Sequence, residues 1–128
     1  MADITLAHAL IDLAHQDLLV FRKLAADLDV GDTVLGFHAQ QAVEKALKAV
    51  LAHAAVRHRR THDIAELLDL LTDAGLPAPP HAEVLDELNP YAVEMRYGLI
   101  QPGVLDRQAT LAMIDEVVAW ASQQTKQT

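Results

Sequence analysis

Cysteine is absent from this 128-residue chain, which excludes disulfides, thiol redox chemistry and every zinc site that needs a thiolate. Aromatic residues are scarce at 4%, while 52% of the chain is hydrophobic and most of that is Ala, Leu and Val. That is the composition of a helical bundle, and the length fits one domain with a real core. Glycine-rich phosphate loops are missing: neither GxGxxG nor GxxxxGK[ST] occurs, so backbone cradling of phosphate is not the expected mode. HExxH is missing as well, and the triple His53, His58 and His62 has no firm helical register and only Asp63 as an acidic companion. No metal and no cofactor are expected. No apolar stretch approaches the roughly 20 residues that span a bilayer. The opening MADITLAHAL lacks the basic start and unbroken apolar run of a signal peptide, so the chain reads as cytoplasmic, with no membrane partner.

A positive net charge is lacking too. The formal charge is −8, which argues against a general nucleic-acid coat protein. The charge is uneven, however. Between residues 44 and 62 stand Lys45, Lys48, Arg57, Arg59 and Arg60 against the single acid Glu44, a basic patch in an acidic chain. Solvated charges that complement a helix C-terminus would give the same pattern.

Hydrophobic periodicity places a first helix from about Asp3 to Leu28, with Leu6, Leu10, Leu13, Phe21, Leu24 and Leu28 as its apolar stripe. Asp17 interrupts that stripe, either paired with a cation from another helix or, as favoured here, lying at its edge. Gly31 ends the helix and Asp32 is placed to cap the next, which runs to about His53. Such a helix spans on the order of 33 Å. Leu35, Ala39, Ala42, Ala46, Ala49 and Val50 fall on one side of it; His38, Gln41, Lys45 and Lys48 fall on another. Glu44 precedes Lys48 by four residues, the better orientation for a solvated helical ion pair. The sequence DIAE from Asp63 starts a short helix with a capping-box-like pattern, and Gly75 closes it. LPAPPH, residues 76 to 81, reads as a rigid loop. Helix returns from about Ala82 to Tyr97, with Pro90 kinking or breaking it, and a final helix from about Val104 to Gln123 carries Leu111, Ile114, Val118 and Ala121 inward with Trp120 beside them. The tail from about residue 123 is expected to fray.

Two places can carry chemistry. Arg57 and His62 lie close in sequence, and imidazole beside guanidinium suits acid and base work on a phosphodiester. His62 could equally bond backbone at the start of the short helix. Arg96 and Tyr97 at a helix end can clamp a phosphate and stack on a base, or Arg96 can pair with Asp12, Asp17 or Glu44 inside the bundle.

Taken in order, HAQQAVEKALKAVL at residues 38 to 51, RRTHDIAELL at 59 to 68 and LNPYAVEMRYG at 88 to 98 resemble the HEPN domain, the nucleotide-binding domain of higher eukaryotes and prokaryotes. The resemblance covers nearly the whole chain. It implies an all-α fold, an up-and-down four-helix bundle with one additional short helix, filling residues 1–128 as a single domain. It implies homodimers and, for stand-alone bacterial members, a minimal nucleotidyltransferase as partner in a two-component, toxin–antitoxin-like system. Many members are metal-independent ribonucleases, with an Arg followed after four to six residues by His. Arg96 stands where that Arg belongs, but the matching positions hold Gln101, Pro102 and Gly103. Nucleotide or RNA binding therefore ranks above catalysis, through a groove of His38, Gln41, Lys45, Lys48, His62, Arg96 and Tyr97. The ribonuclease alternative would use Arg96 and His62 as catalytic residues, and a non-catalytic dimerisation scaffold is the third possibility.

Overall fold

The computed structural model describes residues 2–92 and 105–126. Four α-helices run through them: α1 (Ile4–Leu24), α2 (Asp32–His53), α3 (Ile64–Asp73) and α4 (Arg107–Gln124), with a 3-10 turn at Leu85–Leu88. No strand occurs among the described residues, so the fold is all-α as expected. α2 is the central helix. It packs against α1 and α4 on one side and against α3 and the 3-10 turn on another.

The directions follow from contacts at the helix ends. The Asp3 amide donates to the Ala52 carbonyl, which sets the start of α1 beside the end of α2. His8 Nε2 donates to the Thr125 carbonyl at 3.3 Å, so α4 ends near the same place. α1 is thus antiparallel to both α2 and α4, as an up-and-down bundle requires.

Small residues decide how α1 meets α2. Its inward face is Ala7, Ile11, Ala14, Leu18 and Phe21, and α2 buries Ala39, Ala42, Ala46 and Ala49 in the same core. Alanines on both helices let the backbones approach, so the larger leucines of the expected stripe turn aside. Leu6 and Leu13 are about half exposed, at 47% and 49%, and Leu28 lies out in solvent beyond the helix. Of that stripe, Phe21 alone is fully buried. α1 ends at Leu24, short of the expected Leu28, and the chain turns over residues 25–30 with the Asp29 amide bonded to the Asp27 carboxylate. By length and composition α1 is apolar enough to cross a bilayer, but in this fold its inward face is spent on α2.

The turn into α2 also differs from expectation. Gly31 is the N-cap and offers no side chain, while Asp32 is already helical. The Asp32 carboxylate instead accepts from the Leu105 amide and from Arg107 Nε at 2.9 Å. Arg107 further donates to the carbonyls of Ala25, Asp27 and Val30, clasping the connection between α1 and α2 from the start of α4.

α2 ends in a left-handed turn at Ala55, φ 63°, with the Val56 amide bonded to the Leu51 carbonyl. A Schellman turn normally takes glycine there. α3 ends the same way at Gly75, φ 72°, with the Leu76 amide on Leu71, so the expected glycine stop is in place. At the start of α3, Asp63 caps the Ala65 amide, but Glu66 does not complete a capping box, because Arg59 and Thr61 take its carboxylate. The Asp63 amide that a capping-box glutamate would take donates to Thr61 Oγ1 instead, and Asn89 adds a second link, accepting from the Ile64 amide and donating to Asp63.

The helix expected from Ala82 begins later. Residues 81–84 form turns, Leu85–Leu88 the 3-10 segment, and residues 89–92 are helical. Pro90 sits in the opening turn of that segment, where a missing amide costs nothing, rather than at a kink. The Tyr91 ring lies on Gly36 of α2, and a Cβ at position 36 would collide with it. α4 keeps Ile114, Val117, Val118 and Ala121 inward with Trp120 half buried beside them. Its order reaches past the expected fraying point: Thr125 is buried and its hydroxyl donates to the Ala121 carbonyl.

Candidate functional site

Two carboxylates organise the polar side chains of α2, and one of them comes from α1. Asp17 is 8% exposed and accepts from Lys45 Nζ at 2.7 Å and from His38 Nδ1 at 2.9 Å. Its place inside the stripe therefore reflects a partner, and the edge reading gives way. A buried carboxylate is held only where cations and donors replace its water, and here α2 supplies both. The His38 ring also meets Phe37 edge-on, with centroids 5.6 Å apart.

Glu44 is buried more deeply, at 4% exposure. Lys48 Nζ donates to its Oε2 at 3.2 Å, so this pair, one helical turn apart, is interior rather than solvated. Gln40 Nε2 donates to Oε1 at 2.9 Å, and Gln41 in turn donates to Gln40 Oε1 at 2.7 Å. The third partner comes from outside the helix. His62 Nδ1 donates to Glu44 at 3.0 and 3.2 Å, while the His62 side chain stays 67% exposed. Its Nε2 has no protein partner among the described residues. A carboxylate that fixes Nδ1–H sets the tautomer and turns Nε2 outward as an acceptor.

The candidate groove is thus assembled in an order that the sequence did not give. His38 and Lys45 converge on Asp17; Lys48 and His62 converge on Glu44, and Gln41 stands one step away, bonded to the Gln40 that Glu44 also holds. Arg96 and Tyr97, with Gln101, Pro102 and Gly103, lie outside the described residues. Among the described residues no group of three or more His, Asp or Glu side chains is arranged to hold a metal.

The basic patch is partly neutralised in the same way. Arg59 forms a two-pronged pair with Glu66, at 3.0 and 2.5 Å, and Lys45 and Lys48 answer Asp17 and Glu44. Arg57 and Arg60 carry no acidic partner among the described residues, and Arg60 is exposed. The surplus charge therefore sits on the segment between α2 and α3, beside His62. Sequence reasoning passed over the buried role of Gln40, read the Glu44–Lys48 pair as solvated, and ranked the edge above a cationic partner for Asp17. An acid inside an apolar stripe and a Glu on the same helix as four buried alanines were the available signals.

A family model described as the HEPN domain matches residues 7–124 of the chain. No curated protein and no solved structure matches it.

Proposed function

The chain belongs to the HEPN domain family, which supports a nucleotide- or RNA-related function in general, and on that premise we propose that it is the ligand-holding partner of a minimal nucleotidyltransferase. In this reading it works in the cytoplasm as a homodimer in a two-component, toxin–antitoxin-like pair. Its ligand is a nucleotide or an RNA. The observation that carries the reading is the unbalanced charge of Arg57 and Arg60 beside Lys48 and His62, in a chain whose net charge is −8. Phosphate is the anion such a cluster favours, because charge-assisted hydrogen bonds from several donors add on one group. Lys48 and His62 reach the ligand; His38, Gln41 and Lys45 hold the face that carries them, and Arg96 and Tyr97 are assigned to the ligand by the family resemblance alone.

The test is binding of ATP and of a short RNA, measured by calorimetry over a range of salt. Saturable binding that falls steeply with salt, and at least tenfold in an Arg57→Ala/Arg60→Ala variant, is expected. Binding indifferent to both salt and those substitutions overturns the proposal. Co-purification with a co-expressed nucleotidyltransferase tests the partner, and a monomeric mass in solution removes the dimer.

The Glu44–His62 contact favours a second reading, the metal-independent ribonuclease. With Nδ1–H held by Glu44, the outward Nε2 is suited to take the proton of a ribose 2′-hydroxyl. Cleavage of total RNA in the presence of a chelator, lost in both His62→Ala and Arg96→Ala, would put this reading ahead of the first.

A further inference from the structure

A cavity of about 540 Å³ opens where the start of α1 meets the end of α2, lined by Asp3, Leu6, Leu10, Lys48, Ala52, Ala55, Val56, Arg57 and His58. Its size lies within the roughly 300–1,000 Å³ of small-molecule sites. Three features give it a chemical sense. Part of the lining is aliphatic: Leu6 and Leu10, one turn apart on α1 and about 6 Å between Cβ atoms, and Val56. Part is basic, with Lys48 and Arg57, and His58 adds an imidazole. The single acid, Asp3, is engaged, because its carboxylate accepts from the Leu6 amide and caps α1.

The walls are also fixed in place. The left-handed Ala55 folds the chain back so that Val56 and Arg57 cross the end of the bundle, and the Val56 amide is tied to the Leu51 carbonyl. The bond from the Asp3 amide to the Ala52 carbonyl holds the two helix ends together. Lys48 spends one donor on Glu44, and an ammonium group has three. His58 donates Nδ1–H to the Arg59 carbonyl, leaving Nε2 without a protein partner among the described residues. The half-exposed Leu6 thereby acquires a reason: it is apolar lining of a cavity that Lys48 and Arg57 also line.

We propose that this cavity holds a single phosphorylated nucleoside, with the base on Leu6, Leu10 and Val56 and the phosphate between Lys48, Arg57 and His58. A phosphate dianion takes donors from Lys48 and Arg57 on three oxygens at once, whereas a fatty carboxylate offers them only two. The proposal rests on the nucleotide reading and narrows it to one nucleotide unit at one end of the bundle. The unit is either a free mononucleotide or the 5′-phosphorylated end of an RNA.

Calorimetric titration of the full chain with AMP, adenosine, inorganic phosphate, decanoate and a short RNA with and without a 5′-phosphate decides it. AMP should saturate one site per chain, with adenosine and phosphate alone each at least tenfold weaker. Arg57→Ala and Leu6→Asp should each weaken AMP at least tenfold, and Lys23→Ala, at the far end of α1, should not. Leu6 is half exposed, and Arg57→Ala leaves the core untouched should Leu6→Asp unfold the chain. Displacement of AMP by 5′-phosphorylated RNA but not by 5′-hydroxyl RNA identifies an RNA end; no displacement identifies a free nucleotide. AMP binding unchanged in both variants, or decanoate tighter than AMP, overturns the proposal. RNA binding without AMP binding overturns it and leaves the general nucleotide- or RNA-related reading standing, whereas failure of both removes the two together.

Discussion

Asp17 and Glu44 each gather one lysine and one histidine, yet the two clusters do different work. At Asp17 both partners are largely covered, and the cluster joins α1 to α2. At Glu44 the lysine is covered but the histidine stands two-thirds in solvent, and the cluster joins α2 to the segment ahead of α3. The same ingredients make a closed fastening in one place and an open, outward-facing imidazole in the other. What differs is the origin of the histidine. His38 comes from within α2 and is confined by its neighbours; His62 arrives on a loop.

The largest way to test that contrast is Lys45→Met. Asp17 would keep only His38, and a partly stranded buried carboxylate should lower stability by about 3 kcal/mol in urea unfolding. Adding Asp17→Leu should restore most of the loss, since an apolar pair needs no compensation. If the double variant is as unstable as the single, Asp17 is not the reason for the cost. Lys48→Met should cost less, about 1–2 kcal/mol, because Gln40 and His62 still donate to Glu44. An equal or greater loss than at Lys45 would erase the distinction between the clusters.

Ala55→Gly acts on the turn that leads out of the open cluster. Relieving a left-handed alanine should raise stability by about 1 kcal/mol in the same unfolding assay. The smallest effect belongs to His62→Ala, at most about 0.5 kcal/mol, as expected for a contact whose histidine side is mainly exposed. Its effect on binding or cleavage should be far larger than on unfolding. A strongly destabilised His62→Ala variant would make that residue a structural prop.

Much of the fold was legible because α2 is written in a plain period: all six residues assigned to its apolar face are buried, and its end at His53 falls where expected. Gly75 and Asp63 likewise announced the limits of α3 through local chemistry alone. α1 was harder, because its small residues, Ala7 and Ala14, carry the close approach while its larger leucines lie to the side. Size, which ranks hydrophobic residues in a sequence, does not rank proximity between helices. At the candidate site the polar row on α2 was legible as one helix face, and its wiring was not. Lys45 and Lys48 differ by less than one turn and read as one basic row, but they answer carboxylates from different helices. Asn89 reaching back to α3 and Asp32 reaching forward to Arg107 span 25 and 75 residues, beyond any local pattern.

Arg107 also gives the bundle a polarity along its length. At its end one guanidinium makes four hydrogen bonds that knit the exit of α1, the entry of α2 and the entry of α4. At the other end a single backbone bond, Asp3 to Ala52, spans the same two helices beside the cavity. Lysine at position 107, with a point charge and no planar fork, could not reach the Asp32 carboxylate and three separate carbonyls at once, so the hold on all three helix ends depends on the guanidinium.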